Sequence, residues 1–346
     1  MMSETEALLI LSHVPQLKVR KWLDNHDSAV AALHALDREQ WQNLDAWKKD
    51  LASIEKLGVC LYAFFDKQYP EGFKSLTDAP LLIYVKGVLP QNGKAVAMVG
   101  TRQCTLYGRG MAENFAAGCA SVGYSVVSGL ARGIDTAAHR GALKTGQTVA
   151  VIGSGLADIY PKENEALVEE IAKKGACLSE LPMHAPPHKH HFPRRNRLVV
   201  ALSQGVFLAE APVKSGAMIT MEMACTQKKS CFTIPGRADM ETFRGNHFLI
   251  KSQKAKLVEN WQEMLSLLQP GEEVCRSVLI QTSLFELDEE EEKLLASFSS
   301  AEISLDELAI KASLPIAKLN SLLMGLVLKQ AIREFPGKLY IKVING

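Results

Sequence analysis

Residues 188–197 read HKHHFPRRNR: three histidines, a lysine and three arginines in ten positions. Side chains of these types can hold a metal, move protons or grip an anion. A metal is poorly served. His188, His190 and His191 are too close in sequence for an obvious tetrahedral set, and no nearby Cys or H-E-x-x-H completes one. Their cationic neighbours oppose a bound metal ion, so a surface histidine cluster is the better reading and no metal is expected. Glu180 and Glu210 follow apolar runs and are open to acid–base work, although carboxylates so placed more often cap helices or hold basic side chains. A nucleophile elbow of the G-x-S-x-G kind is absent, and Ser154 in VIGSGLA reads as a turn residue. VIGSGLAD puts Asp158 where a dinucleotide fingerprint needs its third glycine, and no G-x-x-x-x-G-K-[ST] occurs. No nucleotide cofactor and no catalytic residue are therefore expected.

An anion grip fits better. Arg102 and Arg132 follow apolar runs, Lys162 opens a helical stretch, and Arg194, Arg195 and Arg197 open another. Lys214 precedes Ser215-Gly216 at a further helix start. Arginine forks match phosphate oxygens and lysine acts as a point charge. Isolated cations on helices are usually only solvated; repeated placement after strands is harder to dismiss.

The elements that must position these groups are legible from 94 to 260. The apolar runs AVAMVG, YSVVSG, TVAVIGSG, ACLSEL, VFLAEA and CFTIPG alternate with helical stretches. Continuous apolar strands alternating with helices predict a parallel sheet covered on both faces. The fold class is α/β, a doubly wound parallel sheet. Most strands end in small or polar residues, among them Gly100-Thr101, Ser128-Gly129 and Pro235-Gly236. Ligands in this architecture bind beyond the carboxyl ends of the strands, beside helix N-termini that favour anions.

Four segments are expected: a helical SAM/helix-hairpin-helix-like domain over 1–65, the Rossmann-like domain over 66–262, a linker over 263–285 and a winged helix over 286–346. VPQLKVRKWL resembles a helix-hairpin-helix turn, but Gln16 and Leu17 stand where glycine is usual. ISLDELAIKASLP, IAKLNSLLMGLVLKQ and AIREFPGKLYIKV read as two helices and a hairpin with Pro336-Gly337 at its tip. Winged helices bind DNA or proteins, and pattern alone leaves both open. The 286–292 run is acidic everywhere but Leu287, and reads as a linker or helix start.

The 346 residues carry a net charge of +1 at 47% hydrophobic content, so no global field attracts nucleic acid and any basic surface must be local. Seven cysteines lack CxxC spacing and read as reduced thiols of a cytoplasmic protein. The N-terminal MMSETEALLILSHV carries acids before a short apolar run, unlike a signal peptide, and nothing approaches a membrane span.

Seven motifs in order, GTRQCTLYG, SGLARGIDTAAHRGAL, TVAVIGSGLADIYPKEN, SELP, FPRRNRLVVALS, EAPVKSGAMIT and PGR, closely resemble the DNA-processing protein A (DprA/Smf) family over about residues 60–250. The resemblance implies a non-enzymatic single-stranded DNA-binding protein of natural transformation. It would have an extended Rossmann-like core and dimerise through it, protect incoming strands and load the RecA recombinase. It also implies that Gly100-Thr101-Arg102 forms part of a DNA pocket, extended to Lys162 and to Arg194, Arg195, Asn196 and Arg197. With the strand-end residues Ser128, Gly129, Arg132, Lys214, Ser215 and Gly216, these form the expected DNA-binding set. Tyr107, Tyr160 and Phe192 are the available stacking partners. The family's G-x-N-x-L-I pattern is altered, with His247 at the asparagine position. A Rossmann-like nucleotide phosphoribohydrolase is the alternative; KSGAMITMEMA offers Glu222 but lacks the P-G-G of that signature.

Overall fold

The computed structural model describes residues 3–13, 28–35, 46–269, 288–298, 302–329, 331–335 and 337–342. The chain divides into two compact units, Met1–Val274 and Cys275–Gly346.

The first unit is built on nine strands: β1 (Val59–Ala63), β2 (Leu82–Gly87), β3 (Ala95–Val99), β4 (Ser125–Ser128), β5 (Thr148–Val151), β6 (Ala176–Ser179), β7 (Gly205–Leu208), β8 (Ser230–Thr233) and β9 (Lys256–Leu257). Their spatial order is β1-β2-β6-β5-β4-β3-β7-β8-β9. From β6 across to β9 every neighbouring pair is parallel. β2 runs antiparallel to β6, and β1 antiparallel to β2. Strands β4 to β7 are buried at every position, as a sheet covered on both faces requires. All six apolar runs read from the sequence are strands of this sheet.

Helices α1 (Glu4–Ser12), α2 (Ala29–Ala35) and α3 (Ala46–Leu57) precede the sheet, and α4 (Glu71–Lys74) lies between β1 and β2. The crossovers carry α5 (Leu106–Ser121), α6 (Ile134–Thr145), α7 (Glu165–Lys174), α8 (His191–Ala201) and α9 (Gly216–Thr226), followed by α10 (Arg244–Lys251) and α11 (Trp261–Leu268). One face of the sheet buries Leu198–Ala201 of α8 with Met221 and Ala224 of α9. The other buries Phe115 of α5, Ala138 of α6 and Trp261 of α11, with Phe115 stacked on Phe207 at 4.3 Å. Helices α5 and α6 approach closely because a Cβ at Gly141 would lie 2.3 Å from the Glu113 carbonyl oxygen, so only glycine fits.

Two boundaries differ from the sequence reading. β1 lies before residue 65 yet belongs to the sheet, and Leu9 and Ile54 share a core with Leu82, Tyr84 and Ile171. Ser12 Oγ meets the Tyr84 hydroxyl at 2.9 Å, and Asp50 accepts from the Met183 amide at 3.1 Å. The N-terminal helices therefore pack on the extended end of the sheet. The 263–285 segment begins inside α11, whose Met264 and Leu265 are core residues. The helix-hairpin-helix-like stretch at 14–23, with Trp22, and Trp41 beyond it lie outside the described residues.

The second unit holds α12 (Glu289–Ala296), β10 (Ile303–Ser304), α13 (Leu305–Ala312), α14 (Ile316–Leu328), β11 (Ile332–Phe335) and β12 (Leu339–Lys342), with sheet order β10-β12-β11. This is a winged helix around Leu294, Leu308, Leu323 and Ile332. The acidic run starts α12: Asp288 and Glu291 form a capping box, placing carboxylates at the positive helix end. Among the described residues no single helix is long and apolar enough to cross a membrane.

Candidate nucleic-acid interface

The order β5-β4-β3-β7-β8-β9 is that of a doubly wound sheet, and the chain reverses its direction of travel between β3 and β7. Ligands bind at the carboxyl ends beside such a reversal. Four loops meet there around one small hollow: Arg102 after β3, Gly129, Ala131 and Arg132 after β4, Tyr160 and Pro161 after β5, and Phe192 at the start of α8. The Arg102 guanidinium lies 5.4 Å from the centre of the Phe192 ring, and the Tyr160 and Phe192 rings are 5.6 Å apart. Arg102, Arg132 and Tyr160 are exposed. The hollow thus presents two guanidiniums beside two aromatic rings.

The backbone beneath is tightly specified. Gly133 has φ +74°, and a Cβ there would lie 2.4 Å from the Thr101 carbonyl oxygen, so the β4–α6 turn and the 100–102 turn touch through glycine. The Thr101 amide donates to the Glu210 carbonyl at 2.7 Å, and the Ile134 amide to the Thr101 carbonyl at 3.2 Å. Glu210 is fully buried and accepts from the Thr105 amide at 2.9 Å and its hydroxyl at 2.7 Å, so it holds the start of α5.

Two buried ionisable side chains, Arg195 and Asp135, support the floor through backbone hydrogen bonds. Arg195 is 5% exposed, and its Nη1 donates to the Gly129 and Val151 carbonyls. A Cβ on Gly129 would fall 2.5 Å from that guanidinium. Burial pulls the Arg195 pKa down to about 10, with Asp135 opposing the shift and Arg102 adding to it, so the group stays charged at neutral pH. Asp135 accepts from the Gly129 and Ala131 amides at 3.2 and 3.3 Å; burial raises its pKa, while Arg195 and those amides counter. Ser128 is buried, its hydroxyl donating to the Met98 carbonyl at 2.6 Å. Asn196 accepts from Arg195 Nε at 3.2 Å.

The expected DNA-binding set is thereby sorted. Arg102, Gly129 and Arg132 line one hollow, with Gly100 and Thr101 in its backbone. Lys162 is exposed one residue beyond Pro161, between Asp158 at 3.3 Å and Glu165 at 3.0 Å. Arg132 is joined to Glu163 through Nε and Nη2, the latter at 2.8 Å. Arg194 is exposed, 3.4 Å from Glu180. Arg195 and Arg197 point inward. The Arg197 fork donates to both Glu180 oxygens at 2.9 and 2.8 Å and its Nε to Asp78 at 2.6 Å. Glu180 is only 3% exposed, so Arg197 neutralises a buried carboxylate; residues two apart lie on nearly opposite sides of a helix, so Arg195 and Arg197 are buried separately, each by its own partners, while Arg194 stays outside.

Lys214, Ser215 and Gly216 line a separate hollow with Ile219, Glu222, Phe248 and Lys254 that shares no residue with the first. Ser215 caps α9, accepting from the Met218 amide at 3.3 Å. Glu222 is exposed there, and Tyr107 packs against Phe243 near Pro235. The histidine rings cluster with centroids 4.4 to 5.6 Å apart. Burial and its neighbours His190 and His188 hold His191 below the usual imidazole range. Among the described residues no group of three His, Cys, Asp or Glu is arranged to hold a metal. At the altered end of the sheet, Asn246 accepts from the Ala211 amide and donates to Thr233, while His247 meets the Gly236 carbonyl at 2.9 Å. Sequence reasoning missed Asp135 and Glu163 as site residues, although both stand inside quoted motifs, at SGLARGID and YPKEN.

The model of the family described as DNA recombination-mediator protein A matches residues 60–269, and that of the DprA winged helix domain matches 281–338. The DNA processing protein DprA of Bacillus subtilis is 34% identical over 237 residues, 68% of this chain and 80% of that protein. The counterpart of Streptococcus pneumoniae is 41% identical over 207 residues, 59% of this chain and 73% of that protein. The solved structure of the S. pneumoniae protein matches with TM-score 0.64 and 33% identity, covering 77% of this chain and 98% of that one. DNA processing protein A from Helicobacter pylori, described with a single-stranded DNA binding mode, matches with TM-score 0.55 and 31% identity over 61% of this chain and 95% of that one.

Proposed function

We propose a function from one premise: the chain belongs to the DNA recombination-mediator protein A family. It binds single-stranded DNA, without catalysing a reaction on it, at the hollow bounded by Arg102, Arg132, Tyr160 and Phe192. The observation that carries this reading is the meeting of exposed guanidiniums and aromatic rings from four loops at the carboxyl edge of the sheet. Phosphates meet Arg102 and Arg132, with Lys162 and Arg194 on the rim; bases have Tyr160 and Phe192 to stack on. Such contacts are salt-dependent and largely blind to sequence. Arg195, Asn196, Arg197 and Ser128 hold the loops in place. Gly100 and Gly129 leave room for Ile134 and for the Arg195 guanidinium beneath the hollow, and Thr101 ties its turn to Glu210 and Ile134. The 214–216 turn offers a second cationic edge at its own hollow.

The biological role is the handling of incoming strands in natural transformation: protecting them and loading the RecA recombinase, as a homodimer formed through the Rossmann-like domain in the cytoplasm. The reading is tested by competition between single- and double-stranded oligonucleotides across a salt series. Preference for the single strand, with affinity falling as salt rises, supports it. Equal binding of both, or binding insensitive to salt, overturns it.

A further inference from the structure

The cations of the hollow are not equally available. Arg132 carries Glu163 on two of its nitrogens, and Lys162 lies between Asp158 and Glu165. Arg102 makes no ion pair among the described residues; its neighbour is the Phe192 ring. All three carboxylates come from one short stretch, 158–165, beside the loop that supplies Tyr160 and Pro161 to the hollow. The Arg132 and Glu163 side chains are 57% and 51% exposed, so their pair is screened by water and exchanges readily.

This arrangement has a chemical consequence. A lone phosphate at Arg102 must compete with a carboxylate for any second cation, and the displaced carboxylate stays nearby and repels it. A strand brings several linked phosphates, so each later displacement is intramolecular and favoured by effective concentration. We propose that Glu163 is a specificity-determining residue of the strand-binding site: it screens Arg132 from mononucleotides and free phosphate and yields it to a polyphosphate strand. The inference rests on the hollow binding single strands, as argued above.

The test uses the full chain, a fluorescent oligothymidylate, and thymidine monophosphate as competitor, with Glu163→Gln, Arg132→Ala and the double variant. Gln keeps the size of the side chain and removes its charge. Because residue 163 is half-exposed, thermal unfolding should match wild type. Glu163→Gln should bind the strand about 1.5-fold to fivefold tighter at low salt, the range set by a weak surface pair. Its salt slope should steepen by up to about 0.7, because no displaced carboxylate is left to offset the phosphate held by Arg132. Thymidine monophosphate should compete better against it than against wild type, and the gain should vanish in the Arg132→Ala background. Unchanged or weaker strand binding by Glu163→Gln, or a gain that survives without Arg132, overturns the screen. Should wild type bind no strand at all, the site reading fails and the screen with it; should wild type bind while Glu163→Gln is neutral, only the screen fails.

Discussion

Replacing Arg102 by alanine removes the exposed guanidinium that lies over Phe192 and has no carboxylate partner among the described residues. A hydrogen bond to a charged group contributes about 1.5–3 kcal/mol. Loss of about 2 kcal/mol corresponds to roughly a 30-fold weaker single-strand affinity. One lost phosphate contact on a single strand lowers the salt slope by about 0.7. Fold stability should barely move, within about 0.5 kcal/mol for an exposed residue. Removing this cation even relieves its repulsion of the buried Arg195. Anisotropy titrations over a salt series read both affinity and slope. Arg102→Lys separates two contributions: it should keep the slope and lose part of the affinity, because an ammonium lacks the planar fork. A folded Arg102→Ala protein with wild-type affinity and slope would refute the placement of the strand.

Gly129→Ala would put a methyl 2.5 Å from the Arg195 guanidinium. It should lower the midpoint of thermal unfolding, by about 2–4 kcal/mol of stability, and weaken strand binding together with it. Arg197→Leu leaves the buried Glu180 with only the exposed Arg194 at 3.4 Å and should cost about 3 kcal/mol in chemical denaturation, with Arg197→Leu/Glu180→Leu recovering most of it. His139 is fully buried with Nδ1 2.7 Å from the Thr148 hydroxyl, and burial first, then Arg195, lowers its pKa to about 3. The unfolded chain therefore binds the proton more readily. Stability from this group is complete above about pH 6.5 and is lost as pH falls toward 3, with a slope up to about 1.4 kcal/mol per pH unit. Denaturation at several pH values should show that slope in wild type and not in His139→Gln. Removing residues 288–346 should leave strand affinity within about threefold, because α14 exposes Ile316 and Met324 and its Lys318 is joined to Glu290; a large loss would move the DNA site to the winged helix.

The sheet was legible because each of its inner strands is a continuous apolar run followed by a helical stretch, a pattern with one common solution. β1 and β2 were not, since an antiparallel extension at a sheet edge has no crossover helix to announce it. The boundary at 262 failed to stop the core because α11 turns Trp261, Met264 and Leu265 onto it. At the site, residue type located the loops but not the direction of each side chain. FPRRNR holds three arginines within four positions; the structure sends Arg194 outward and Arg195 and Arg197 inward, as decided by the carbonyls of Gly129 and Val151 and by Glu180, all distant in sequence. The 214–216 turn met the same rule of cations after strands, yet it follows β7 and opens on a different hollow.

The most direct measurement is a structure of this chain with a short oligothymidylate. The account predicts phosphates within hydrogen-bonding reach of Arg102 and Arg132, a base against Phe192 or Tyr160, and Glu163 drawn off Arg132. A strand lying along the winged helix or in the Lys214–Phe248 hollow, with the Arg102 loop untouched, would contradict it.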